Sequence, residues 1–141
     1  MRFMLIVKAT EESEAGIMPS TEMLAAMGRY NEELVKAGVL LAGEGLHLTR
    51  RGARVEFIGD QRNVIDGPFA NTGELIAGFW LIQARSLDEA IAWVKRCPKP
   101  HTRDTHIEIR QVFDADDFGA ELTPELRENE ARLRARIEAG K

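Results

Sequence analysis

Residues 75–84 read Leu-Ile-Ala-Gly-Phe-Trp-Leu-Ile-Gln-Ala. In an extended chain Ala77, Phe79 and Leu81 fall on one side, and Ile76, Trp80 and Ile82 on the other. Both sides are apolar, so a strand here needs cover on both faces. Residues 2–9 repeat the pattern, with Phe3, Leu5 and Val7 opposed to Met4 and Ile6. Downstream of the first stretch, Ser86-Leu87-Asp88-Glu89 is a capping-box signature, in which Ser86 and Glu89 each satisfy a backbone N–H. The helix it opens buries Ala90, Ile91, Trp93 and Val94 and runs to about Cys97, where Pro98 stops it. Residues 106–113 return as a strand with one polar face: Ile107, Ile109 and Phe113 alternate with His106, Glu108 and Arg110.

Upstream, residues 10–19 read as a polar loop. Ser20 is placed to cap a helix carrying Met23, Leu24, Met27, Tyr30, Leu34 and Val35 at helical spacing, with Gly38 just past its end. Residues 39–48 form a second strand, in which Gly43 and Gly45 predict a bulge or the close approach of another backbone. Residues 53–58 return as a short strand, Gly59-Asp60 turns the chain, and residues 63–65 are extended again. At the far end, residues 114–120 form an acidic loop. Thr123 and Pro124 then open a final helix with Glu128–Arg132 and Glu130–Arg134 pairs four apart. Its apolar stripe is only Leu126, Leu133 and Ile137.

The order is strand, helix, strands, strand, helix, strand: the split βαβ of ferredoxin-like α+β folds, here with an inserted β-hairpin and an extra C-terminal helix. We expect residues 1–113 to form this domain and residues 114–141 a C-terminal loop and helix. Such a fold puts both helices on one sheet face. The other face would expose Phe79 and its neighbours, and large exposed apolar patches mark interfaces. A second copy packed sheet to sheet is the simplest cover, so a homodimer is expected.

Nineteen Lys and Arg against 23 Asp and Glu give a net charge of −4. No basic surplus exists to neutralise a phosphate backbone, so no nucleic acid partner is expected. One cysteine in 141 residues rules out an internal disulfide and a Cys-rich zinc site. Three scattered histidines carry no ligand spacing, and no nucleotide-binding or hydrolase motif is present, so neither metal nor cofactor is expected. No apolar run reaches the roughly 18 residues of a membrane span. The chain therefore reads as cytoplasmic, with no membrane partner.

One segment is more pointed. Val64-Ile65-Asp66-Gly67-Pro68-Phe69-Ala70, followed by Glu74-Leu75-Ile76-Ala77-Gly78-Phe79-Trp80, resembles the signature of DGPF-domain proteins in the YCII-related superfamily. Residues 38–47, Gly-Val-Leu-Leu-Ala-Gly-Glu-Gly-Leu-His, match the same family, as do Ser86 to Ala90, Cys97-Pro98 and Ile107 to Arg110. The resemblance covers about residues 1–113 and implies a dimeric α+β barrel built on a ferredoxin-like unit. In YCII-like relatives a His–Asp pair in a cleft has been proposed as a catalytic centre, and one relative acts as a dehydrochlorinase. DGPF members are also linked with extracytoplasmic-function sigma factors. The chain departs from the family at Asn71-Thr72-Gly73 and at Leu48, where proline is common.

The pair implied here is His47 with Asp66. Histidine exchanges protons near neutrality. An aspartate on its second ring nitrogen would fix the tautomer, so we expect the two within hydrogen-bond reach, about 2.6–3.2 Å. Alone, His47 also reads as a strand-end histidine and Asp66-Gly67-Pro68 as an ordinary turn. Asp66 is expected to cap that turn, worth about 1 kcal/mol. Glu44, on an otherwise apolar strand, and Glu108 with Arg110 are candidate ligand-binding groups, the arginine through its guanidinium fork. The favoured reading of Glu108 and Arg110 is a solvated strand face or an ion pair across a dimer. Cys97, at a helix C-terminus, reads as a buried, inert thiol. His101 reads as solvated. The function this supports is cofactor-independent acid–base chemistry on a small organic substrate, or non-catalytic binding of such a ligand in a regulatory or interaction module.

Overall fold

A computed structural model describes residues 1–70 and 73–141. Asn71 and Thr72, in the stretch that departs from the family pattern, lie outside the described residues. The chain divides into two compact units, Met1–Gln111 and Val112–Lys141.

In the first unit β1 (Arg2–Lys8), β2 (Leu40–Gly45), β5 (Ile76–Gln83) and β6 (Ile107–Gln111) form an antiparallel sheet in the order β2-β5-β1-β6. Helices α2 (Thr21–Lys36) and α3 (Leu87–Lys95) connect its strands, and β3 (Ala53–Ile58) and β4 (Gln61–Asp66) make a separate hairpin between β2 and β5. This is the ferredoxin-like α+β fold with an inserted hairpin.

The two-faced reading of β1 and β5 explains the core. Phe3 and Leu5 of β1 meet Ile82 and Trp80 of β5 across the ladder, and these four pack with Tyr30, Leu34 and Ala90 of the helices. Tyr30 stands edge-on to Trp80 at 5.6 Å, and its hydroxyl donates to the Trp93 carbonyl at 2.8 Å, tying α2 to α3. The indole N–H of Trp80 donates to Asn31 Oδ1 at 2.8 Å. Gly43 is required on β2 because a Cβ there would lie 2.9 Å from Trp80 Cδ1. The close approach at Gly43 is that of the Trp80 side chain rather than of another backbone, and the ladder irregularity sits between Leu40 and Ala42. Tyr30→Phe should cost about 1 kcal/mol, the net worth of one hydrogen bond, read as a lower urea midpoint at unchanged slope.

Several local expectations need correction. Residues 10–19 contain a one-turn helix, α1 (Glu11–Glu14), capped reciprocally by Thr10 and Ser13. Ser86 does cap α3 through Glu89 N, but the Glu89 carboxylate turns to Arg85 Nε at 2.8 Å, because a cation is a stronger partner than a backbone amide. His101 is not solvated: its Nε2 lies 2.7 Å from the Lys8 carbonyl. On α2, Leu24 and Val35 are exposed although they match the helical period.

The second unit holds a 3₁₀ turn (Ala115–Asp117) and α4 (Pro124–Ala139), capped by Thr123. The expected Glu128–Arg132 and Glu130–Arg134 pairs form at 3.7 and 3.1 Å. Phe113, expected on the last strand, lies beyond it: β6 ends at Gln111, and Phe113 stacks on Phe118 with ring centroids 5.1 Å apart.

Candidate functional site

Two places carry candidate chemistry. The first is the sheet face turned away from the helices. The ladder sets Ala42, Leu81, Met4 and Arg110 in one row and Glu44, Phe79, Ile6 and Glu108 in the next. Met4, Ile6, Phe79 and Leu81 thus form a block that does not join the core cluster. Charges border it. Glu44 lies on the β2 edge. On the β6 side Glu108 pairs with Lys8 and with Arg110, each at 3.2 Å. These cations, Lys8 foremost, hold the Glu108 carboxyl below its ordinary range. A depressed carboxylate contributes stability at neutral pH, and acidification removes that contribution as Glu108 protonates. Arg110 therefore already has an ion-pair partner on its own strand, and its remaining guanidinium donors are open, with 70% of the side chain exposed.

The second place is a junction of three loops. His47 follows β2, and its Nδ1 accepts from Leu48 N at 3.0 Å. A neutral imidazole held this way carries its proton on Nε2, so it offers a donor outward. Asp66 ends β4 opposite Ala53 and is exposed. Among the described residues no hydrogen bond or ion pair joins His47 to Asp66, and the Asp66 carboxylate does not cap its turn. Thr49 supplies that cap instead: its Oγ1 accepts from Phe69 N at 3.0 Å. The same hydroxyl donates to Glu14 Oε2 at 2.7 Å, and the Glu14 carboxylate also accepts from Thr49 N. Gly67 N donates to Gly52 O at 3.0 Å. A Cβ on Gly67 would lie 1.7 Å from the Thr49 carbonyl oxygen, so only glycine lets the two loops meet. The guanidinium of Arg54 covers the Phe69 ring at 3.9 Å.

A profile of the YCII-related domain matches residues 1–116. The chain belongs to the YCII-related family. This YCII-related chain is 34% identical over 86 residues to an uncharacterised protein of Rhizobium meliloti (strain 1021), covering 61% of this chain and 69% of that one. Among solved structures it is similar to 5-chloro-2-hydroxyhydroquinone dehydrochlorinase of Burkholderia phenoliruptrix AC1100 in complex with 2,5-dihydroxybenzoquinone. That likeness has a TM-score of 0.44 and 16% identity, and covers 84% of this chain and 100% of the other.

Elsewhere among the described residues the YCII-related chain has open clefts that include one of about 210 Å³ and one of about 240 Å³. One lies beside Tyr30, Glu33 and Arg96, the other beside Lys8, Arg103 and His106. His47 and Asp66 line neither. Among the described residues no group of three acidic, histidine or cysteine side chains is placed to hold a metal ion, and no helix is long and apolar enough to cross a membrane. Burial pushes the Cys97 thiol up to about 11, and it donates to the Pro98 carbonyl. Alkylation of Cys97 at pH 7 should therefore be much slower in the folded protein than in denaturant, as timed by mass spectrometry.

Proposed function

We propose that this chain is a homodimeric binding protein for a small organic molecule, with its two open sheet faces packed together and His47 presenting a donor N–H to the ligand. The observation that carries the reading is the apolar block of Met4, Ile6, Phe79 and Leu81, bordered by acid on one edge and by a net positive cluster on the other. A two-fold axis parallel to the strands sets the β2 edge of one copy over the β6 edge of its partner. Glu44 then faces the side that carries Lys8, Glu108 and Arg110, so the face is complementary to itself. At the rim of the paired faces Arg110, Glu108 and Glu44 would meet a polar group on the ligand.

A second reading is catalysis: cofactor-independent proton transfer of the lyase or isomerase kind, with His47 as base and Asp66 as its orienting carboxylate. Its support is that both loops converge on Thr49. For His47 to act as a base through Nε2, Nδ1 must hold the proton and give up Leu48 N for a carboxylate. The binding reading is favoured because Leu48 N already donates to Nδ1. Long-range ¹H–¹⁵N spectra of the imidazole separate the two. We expect the Nε2–H tautomer in the neutral protein. Detection of the Nδ1–H tautomer, lost in Asp66→Asn, would move the assignment to catalysis. Ligand-observed NMR against a panel of small aromatic and aliphatic acids and phenols tests binding itself. Hits should weaken in His47→Gln, and a panel without hits would count against the proposal.

A further inference from the structure

We infer that Glu14 and Thr49 are the positioning residues of this site, holding the His47 loop and the Asp66 loop in one fixed relation. The inference rests on the reading of His47 as the side chain that meets the ligand; Asp66 joins it only in the catalytic reading. Its warrant is a chain of short contacts between segments far apart in sequence. Glu14 closes the one-turn helix after β1, and Thr10 and Ser13 cap the N-terminus of that helix reciprocally. Its carboxylate accepts from both the backbone and the hydroxyl of Thr49, a charge-assisted pair of bonds across 35 residues. The Thr49 hydroxyl then accepts from Phe69 N, across 20 residues. One hydroxyl thus uses its donor on one loop and its acceptor on another.

This hydroxyl ties the loop that carries His47 to the turn that follows Asp66. His47 is exposed and fastened only by its ring nitrogen to Leu48 N, so its position follows the backbone that leads into Thr49. Asp66 is exposed and its carboxylate is bonded to nothing among the described residues; the β3–β4 ladder and Gly67 N on Gly52 O hold its backbone, and the turn that follows it is fastened to Thr49 by Phe69 N. The contact of Gly67 with the Thr49 carbonyl allows the loops to lie together, but contact alone does not fix their orientation. The two hydrogen bonds of the hydroxyl do that, together with the backbone bond from Gly67 N to Gly52 O. Neither Glu14 nor Thr49 touches the ligand; they act through the loop that carries His47.

Thr49→Val keeps the shape and removes the hydroxyl, while Thr49→Ser keeps the hydroxyl. In Thr49→Val we expect the Phe69 amide to exchange with solvent at least about tenfold faster, as for loss of a hydrogen bond of about 1.4 kcal/mol. The imidazole ¹⁵N resonances of His47 should shift as well. Thr49→Ser should restore both. If Thr49→Val does not fold, Glu14→Gln in the full chain is read the same way, with a smaller change, because the amide oxygen still accepts one bond. Unchanged Phe69 exchange and His47 resonances in the folded variants overturn the inference. So does a Thr49→Ser protein as perturbed as Thr49→Val, which would assign the effect to the methyl group. These readouts need neither ligand nor dimer, so their failure is distinct from failure of the binding reading.

Discussion

Leu34→Ala is expected to lower the free energy of unfolding by about 2–5 kcal/mol, the cost of removing a large aliphatic side chain from a packed core. Leu34 has no exposed surface and shares one cluster with Phe3, Leu5 and Ile82. It therefore joins α2 to the two central strands at once. Against a total stability of about 5–15 kcal/mol, this is a large fraction. Its neighbour Val35 is 63% exposed, so Val35→Ala should change the urea midpoint little. A Leu34→Ala protein within about 0.5 kcal/mol of the parent, no more than an ordinary surface substitution, would mean that α2 does not pack where the core cluster places it.

Leu81→Arg is expected to abolish dimerisation while leaving the subunit folded. Leu81 lies between Ala42 and Met4 on the face opposite the core, so its side chain can change without disturbing Phe3, Trp80 or Ile82. In a sheet-to-sheet dimer the guanidinium would be buried without a partner, at a cost of about 3 kcal/mol or more. Two-fold symmetry repeats the substitution, so the dimer constant should fall by about ten-thousand-fold. Size-exclusion chromatography with circular dichroism reads both halves of the expectation. A folded variant that elutes with the parent would show that the open face is not what joins the copies.

The topology was legible because strands with apolar residues on both sides are uncommon and constrain their neighbours. Residues 2–9 and 75–84 had to be central, and β5 and β1 are the inner strands. The hairpin was legible from its Gly59-Asp60 turn, since β3 and β4 pair around it. The short α1 was not, because one turn of helix has no apolar period; its only signature is the Thr10 and Ser13 spacing. Leu24 and Val35 match the α2 period yet stay exposed, because the sheet covers a narrower stripe than the pattern offers.

Alternation made the open face legible, with Glu108 and Arg110 on one side of their strand and Phe79 on one side of its own, but only the ladder register sets Arg110 beside Met4 and Glu108 beside Ile6. The loop junction was legible only in part. The Gly67 turn follows from its sequence, but the capping oxygen comes from Thr49, 20 residues before Phe69. Nothing in Leu48-Thr49-Arg50 announces this. A local reading gives the turn to Asp66, whose side chain is nearest in sequence, whereas the folded chain brings a hydroxyl already held by Glu14.

The proposed homodimer places a second copy over the open sheet face. Sedimentation equilibrium of the native chain tests it most directly. At micromolar concentration in moderate salt the account predicts a mass of twice 15.8 kDa, shifting toward the single-chain mass when Phe79 or Leu81 is replaced by a charged residue. A native protein that sediments at 15.8 kDa throughout this range, with no change in stability on dilution, would contradict it.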